Sequence, residues 1–252
     1  MATPPKFKIL IVNPNSSKAM TEGMISAISN TTLSENLEIS AYTAPSIAPA
    51  SIDDDAGIRD STQAVLIDIM AGKFHLTSYD SILVACFSVH ILVEKLSALT
   101  RAPVTGIFEA SILTSLSLTT SAESWGIVTT GAFWERHLGD GVNAFLGQTV
   151  GQTNARFAGT FSSGLTAGDF HTVSPEQVQA KLKDATVRLL QASKVRCVVM
   201  GCGGMAGLES IIRGAAVEVY GKQRGESVYI VDGVRAGVLQ LHQTMLSRRE
   251  FA

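Results

Sequence analysis

Three cysteines, Cys86, Cys197 and Cys202, carry the first chemical content of this chain. A sparse, odd set with no Cys-x-x-Cys pair speaks against a disulfide framework and against a structural zinc site. It is what free thiols in a reducing compartment look like. Two of the three sit alike. Cys86 follows the apolar run 81–85 and precedes a helical pattern, and Cys202 follows the run 197–200 and precedes another. The same 73-residue interval separates Asn13 from Cys86 and Thr129 from Cys202, and Asn13 and Thr129 each end an expected strand. Each cysteine is followed by a further strand expected to end in an acid, Glu109 or Asp232. In open parallel sheets, ligands sit beyond the carboxyl ends of the strands. Backbone N–H groups and the dipole of a following helix stabilise a thiolate there. A thiol of reference pKa about 8.5 is then expected to be drawn toward neutrality. Two such thiols facing across a cleft suit one task. One thiolate removes a proton next to a carbonyl, and the other thiol returns a proton to the opposite face. N–H and hydroxyl donors hold the enolate oxygen, and no cofactor is needed.

The donors are at hand. The N–H groups of Phe87 and Ser88 follow the first thiol, and those of Gly203 and Gly204 follow the second. Asn13, Asn15, Ser16, Thr129 and Thr130 supply further donors at the other strand ends. Val89 and His90 complete the turn after Cys86. His90 reads either as a general acid or as a helix N-terminal residue, with a place in the pocket wall preferred. Glu109 either orients a donor or caps the next helix.

Plainer readings stand beside these. A free cysteine is most often a small buried hydrophobe, and Cys197, among Val195, Val198 and Val199, is assigned to the core. Cys86 alone would be too; the internal repeat lifts Cys86 and Cys202 together. His75, His137, His171 and His242 show no metal-ligand spacing and read as surface or satisfied residues. Asp53, Asp54 and Asp55 read as a solvated cluster at a helix N-terminus, complementing its dipole, ahead of any metal site. Gly201-Cys202-Gly203-Gly204 lacks the G-x-x-x-x-G-K-[ST] pattern of a phosphate loop.

Positioning these groups takes alternating strands and helices. Strands are expected at 8–12, 37–42, 81–85 and 104–108, with helices at 17–29, 54–71, 89–99 and 110–118. The pattern then restarts, with strands at 125–128, 155–161, 197–200 and 228–231 and helices at 133–145, 175–193, 208–220 and 234–246. Such alternation implies α/β architecture with parallel sheets flanked by helices. The repeat implies two pseudo-symmetric lobes with the active site in the cleft between them. The first lobe is expected to take 1–108 plus 226–252, its C-terminal helix returning to pack on it, and the second 109–225. One continuous doubly wound sheet is the alternative.

Composition narrows the partners. Of 252 residues 46% are apolar and 17% charged, and the net charge is −2. That balance excludes long disorder and offers no electrostatic footprint for nucleic acid or an anionic membrane. No run reaches the roughly 20 apolar residues of a membrane span. The apolar stretch Ile9 to Val12 is too short for a leader and is followed by Pro14. A cytoplasmic location is expected.

The segments ILIVNPNSS (9–17), ILVACFSVHILV (82–93), GIFEAS (106–111), WGIVTT (125–130), VVMGCGGMAGL (198–208) and VDGVRAGV (231–238) carry a resemblance. The chain resembles the hydantoin/allantoin racemase family of the aspartate/glutamate/hydantoin racemase superfamily, and the ACFSVH run is similar to its fungal members. The resemblance implies two α/β lobes, a homo-oligomer, and cofactor-independent two-base proton transfer with Cys86 and Cys202 as the bases. It implies a small cyclic ureide as substrate, a 5-substituted hydantoin or allantoin. Ser88-Val89-His90 departs from the Gly-Asp-Pro typical of bacterial hydantoin racemases and touches substrate identity. The superfamily also holds decarboxylases and cis–trans isomerases that rely mainly on one thiol. That reading, and a non-catalytic metabolite-binding protein, stay open beside the racemase. A free amino acid is disfavoured, because the strand-end motifs offer mainly neutral donors.

Overall fold

Short runs of aliphatic and β-branched residues build two sheets of the same design. The computed structural model describes residues 6–29, 31–34, 37–149, 152 and 154–252. Residues 1–5, on which the reading against a leader partly rests, lie outside the described residues. In the first sheet β1 (Phe7–Asn13), β2 (Leu37–Thr43), β3 (Ser81–Val84) and β4 (Val104–Gly106) are ordered β2-β1-β3-β4. In the second, β5 (Ser124–Thr129), β6 (Phe157–Ser162), β7 (Val195–Gly201) and β8 (Tyr229–Asp232) are ordered β6-β5-β7-β8. Every pairing is parallel. Val12 lies opposite Val84, and Thr129 opposite Gly201, so the two cysteine turns leave matching strand ends. Two separate sheets replace the alternative of one continuous sheet.

Alternation along each strand explains the layers. Ile9, Ile11, Leu83 and Ala85 point to one face of the first sheet, and Leu10, Val12, Ile82 and Val84 to the other. Both faces are buried, which is why these strands read as unbroken apolar runs. The outer face of the first sheet is covered by α2 (Asp55–Met70) and α3 (Ile91–Ser97), through Ala64, Val65, Leu92 and Leu96. That of the second is covered by α6 (Pro175–Ala192) and α7 (Glu209–Tyr220), through Leu182, Leu189, Ile212 and Ala216. The inner faces share one core. Ile9, Ile11 and Leu83 of the first sheet join Trp125, Ile127 and Val199 of the second, with Phe108 and Ile112 of α4 (Ile107–Leu118) and Val234 and Val238 of α9 (Gly233–Glu250). Cys197 is fully buried in this core, its Sγ 3.6 Å from the Ser115 hydroxyl. Helix α9 crosses β3 so closely that a β-carbon on Gly237 would run into the Leu83 side chain.

Some boundaries differ from expectation. Helix α3 starts at Ile91, two residues later than its apolar pattern, because His90 caps it. Strand β4 stops at Gly106 instead of running to Phe108, and Glu109 falls in the first turn of α4 and not at a strand end. The Glu109 side chain folds back over Gly106 where a β-carbon would stand, a reach from the third helical residue to the cap that fixes a helix start. Strand β8 pairs with β7, so 229–232 belongs to the second sheet and α9 alone returns to the first. The short α8 (Lys222–Glu226) was not anticipated. Among the described residues, no helix is long and apolar enough to cross a membrane.

Candidate active site

Cys86 lies two residues beyond β3, where the Ala85 N–H still donates to Val12 O at 2.8 Å. Cys202 directly follows β7 and opens a 3-10 turn, Gly203–Met205. The two turns abut across the lobes. A β-carbon on Gly203 would stand 3.4 Å from the Ala85 carbonyl oxygen, in van der Waals contact with the first turn, and 2.6 Å from Met24 Cε, which would have to swing aside. Both cysteines line one cavity of about 30 Å³. The first lobe adds Asn15, Phe87, Met20 and Met24 of α1 (Lys18–Ser29), and Ile52; the second adds Thr130, Ala167, Gly201, Gly203, Gly204 and Trp134 of α5 (Phe133–Phe145).

The sulfurs differ in their partners. The Ser88 hydroxyl donates to Cys86 Sγ at 3.4 Å, and the Gly204 N–H donates to Cys202 Sγ at 3.3 Å. Burial pushes both thiols up to about 12. At Cys86 the Ser88 bond offsets part of this, while Cys202, Asp53 and Glu109 add to it; at Cys202 the Gly204 bond offsets part, and Asp53 adds. This reverses the expected shift toward neutrality. Helix α3 begins five residues after Cys86 and α7 seven after Cys202, beyond the reach of the terminal turn that carries the dipole effect. The charges acting on the thiols are all negative: the carboxylates Asp53 and Glu109 and, on Cys86, the Cys202 sulfur.

Among the other candidates, Asn15, Phe87, Thr130, Gly203 and Gly204 line the cavity. Asn13 and Thr129 stand behind it and are spent on the fold. Asn13 Nδ2, with two hydrogens, sits within hydrogen-bond distance of Asn15 Oδ1, Ser17 O and Thr21 Oγ1, and Thr129 Oγ1 donates to Gly201 O. Ser16 Oγ donates to Ala48 O, pinning the turn after β1 to the loop after β2. Ser88 meets the site only through its bond to sulfur. Val89 lies at the seam, where a β-carbon on Gly141 of α5 would strike it. His90 is buried behind α3: its Nδ1 accepts from the Leu92 N–H at 3.3 Å, and its Nε2 faces Ser61 Oγ at 3.3 Å. An accepting Nδ1 places the ring proton on Nε2. Burial holds His90 down at about 4, so it is neutral. Glu109 Oε2 is buried without a partner, and desolvation raises its carboxyl against the pull of the Glu109 and Gly106 N–H groups. Among the described residues no cluster of three or more His, Cys, Asp or Glu could hold a metal.

Sequence reasoning missed Met20, Met24, Ile52, Trp134, Ala167 and Gly201 as lining residues. It also missed Asp53, which leaves the acidic cluster to accept from the Ala167 N–H at 3.4 Å across the lobes.

A family model described as Asp/Glu/Hydantoin racemase matches residues 9–241. Protein DCG1 of Saccharomyces cerevisiae is 32% identical over 213 residues, covering 81% of this chain and 84% of its own. A hydantoin racemase of Paenarthrobacter aurescens is 31% identical over 203 residues, 80% of this chain and 79% of its own. The crystal structure of allantoin racemase from Pseudomonas fluorescens shares the fold, with a TM-score of 0.76 at 24% identity over 97% of this chain and 92% of that one. With this match over nearly its whole length, two equivalent lobes and a cysteine turn from each, the chain belongs to the Asp/Glu/hydantoin racemase family and is an enzyme of the racemase type.

Proposed function

We propose that the enzyme racemises neutral cyclic ureides, 5-substituted hydantoins or allantoin, by proton transfer between Cys86 and Cys202 without a cofactor. The observation that carries this reading is that both thiols, one from each lobe, line the same cavity. In the reacting form one sulfur is a thiolate and the other a thiol. The thiolate takes the proton from C5, and the C–H electron pair passes into the adjacent carbonyl as an enolate. The second thiol gives its proton to the opposite face and is left as the thiolate, so thiol and thiolate have changed places. Of the turn N–H groups, those of Ser88 and Gly204 are already committed, to Cys86 O and Cys202 Sγ, so the Phe87 and Gly203 N–H groups and the Thr130 hydroxyl are the donors offered to the developing oxyanion.

Substrate charge follows from the surroundings. Among the described residues no charged side chain lines the cavity, and the charges felt by the sulfurs come from Asp53 and Glu109. A substrate carboxylate would meet repulsion and find no cation, whereas a neutral ring with N–H and C=O groups needs neither. A cytoplasmic homo-oligomer goes with this reading; cell fractionation and sedimentation velocity test both.

Proton exchange in deuterated water, followed by NMR on 5-methylhydantoin, allantoin and glutamate, tests the substrate class. Exchange at C5 of a cyclic ureide and none at glutamate is expected; the converse overturns it. Cys86→Ala and Cys202→Ala should each abolish racemisation. Full racemase activity in the Cys202→Ala enzyme, or in Cys86→Ser, would leave a one-thiol isomerase or lyase standing instead.

A further inference from the structure

The loops after β2 and after β6 hold equivalent places in the two lobes, and they meet over the cavity. Ile52 and Ala167, one from each loop, both line it. Directly beside them Asp53 Oδ1 accepts from the Ala167 N–H at 3.4 Å, and Gly168 comes up to Ser51, a β-carbon there lying 4.0 Å from Ser51 Cβ. The three neighbouring acids have separate uses. Asp54 caps α2 through the Gly57 N–H, Asp55 faces His137 across the seam at 3.7 Å, and Asp53 turns to the other loop. A 3.4 Å bond is at the weak end for N–H to oxygen, and a carboxylate has acceptor capacity for several donors. Next to it the Ser51 hydroxyl is buried with no hydrogen-bond partner. A buried hydroxyl is costly to leave without a partner.

The cavity of about 30 Å³ holds one or two waters and no five-membered ring. Room for a ring must therefore open, and these two loops supply Ile52 and Ala167 to the cavity wall. We propose that Asp53 is a specificity-determining residue, whose carboxylate exchanges the Ala167 N–H for a ring N–H of the bound cyclic ureide while the Ser51 hydroxyl donates to the neighbouring ring carbonyl. A ureide edge presents an N–H beside a C=O, the complement of a carboxylate beside a hydroxyl. The inference rests on the cyclic-ureide reading of the cleft. The same carboxylate raises both thiols, so its neutralisation has a second, independent readout.

The test uses Asp53→Asn, which keeps an acceptor for Ala167 and removes the charge, with 5-methylhydantoin and its 1-methyl and 3-methyl derivatives as probes. Asp53→Asn should raise KM for 5-methylhydantoin about tenfold with a smaller change in kcat. One N-methyl derivative, lacking the contacted proton, should be poor for the wild type and no worse for the variant. A KM within twofold of wild type overturns the proposal. So does an equal loss on all three probes, which would mark a merely structural role. Alkylation of Cys86 and Cys202 by iodoacetamide should begin at lower pH in Asp53→Asn; an unchanged profile overturns the placement of the carboxylate. If the wild type does not turn over 5-methylhydantoin, allantoin takes its place as the probe, and if it turns over neither, the ureide reading fails. Protection from alkylation then decides Asp53 separately: protection lost in the variant upholds its contact with the ring, and equal or absent protection overturns it.

Discussion

At Cys86 and Cys202 the chemistry is governed by how hard a thiolate is to make. Burial and nearby carboxylates favour the neutral thiol at both, and a charge on Cys202 raises Cys86 further. The pair thus resists holding two charges and is suited to sharing one. A thiol raised to about 12 is neutral at pH 7 and gains its anion only as pH climbs. The expected result is a kcat/KM that rises about tenfold per pH unit between pH 7 and 9; a profile already flat at pH 7 would contradict it. Glu109 gives a stability test. Its carboxyl is raised by desolvation and so binds its proton more tightly folded than unfolded. Its contribution is present in acid and lost as pH rises through the folded value. Glu109→Gln should therefore raise Tm at pH 7 relative to wild type, with the difference closing toward pH 4 in thermal unfolding scans. The two thiols were legible in the sequence because they recur at one spacing. Met20, Met24 and Trp134 were not, since apolar residues at helical spacing look the same whether they face a core or a substrate, and Ile52 was not, since it stands in a loop with no periodicity to place it. Asp53 was hidden in a run of three acids that only the fold separates.

At the scale of elements, the central strands β1, β3, β5 and β7 announced themselves because both of their faces are covered, leaving short apolar runs between turn residues. Helix ends were harder, and His90 shows why. It carries no standard capping signal, yet its ring nitrogen takes the Leu92 N–H and its other nitrogen ties α3 to Ser61 of α2. A capping bond of this kind is worth about 1 kcal/mol. Burial holds the ring at about 4 against an ordinary 6.5. Protonation thus favours the unfolded chain: the stabilisation is present above pH 6.5 and is lost as pH falls toward 4. Urea unfolding of the wild type should show that acid slope, and His90→Asn, which keeps a cap without a titrating ring, should lack it. The start of α4 escaped for a different reason. Ile107 and Phe108 fit a strand and a buried helix turn equally, and the choice is made by Glu109 reaching back over Gly106.

At the scale of the molecule, the duplication visible as two equal intervals became two sheets of one strand order. The sharing of a single inner core by both lobes was not legible, because it depends on where α4 and α9 settle. Since Ile9, Leu83, Trp125 and Val199 belong to the same core, the lobes should unfold together. Hydrogen exchange is expected to give β1 and β5 the same opening free energy, and a lobe that opens alone would refute this. Gly237→Val, which forces α9 off Leu83, should cost about 1–3 kcal/mol and lower protection in both sheets alike. The unlike partners of the two sulfurs, a serine hydroxyl at one and a backbone amide at the other, carry a kinetic consequence for the proposed reaction. Mirror-image substrates are equal in free energy in water, so their equilibrium constant is one whatever the enzyme does. The Haldane relation then requires equal kcat/KM in the two directions. The asymmetry of the sulfurs is confined to kcat and KM separately, where it must appear as matched and cancelling differences between the enantiomers.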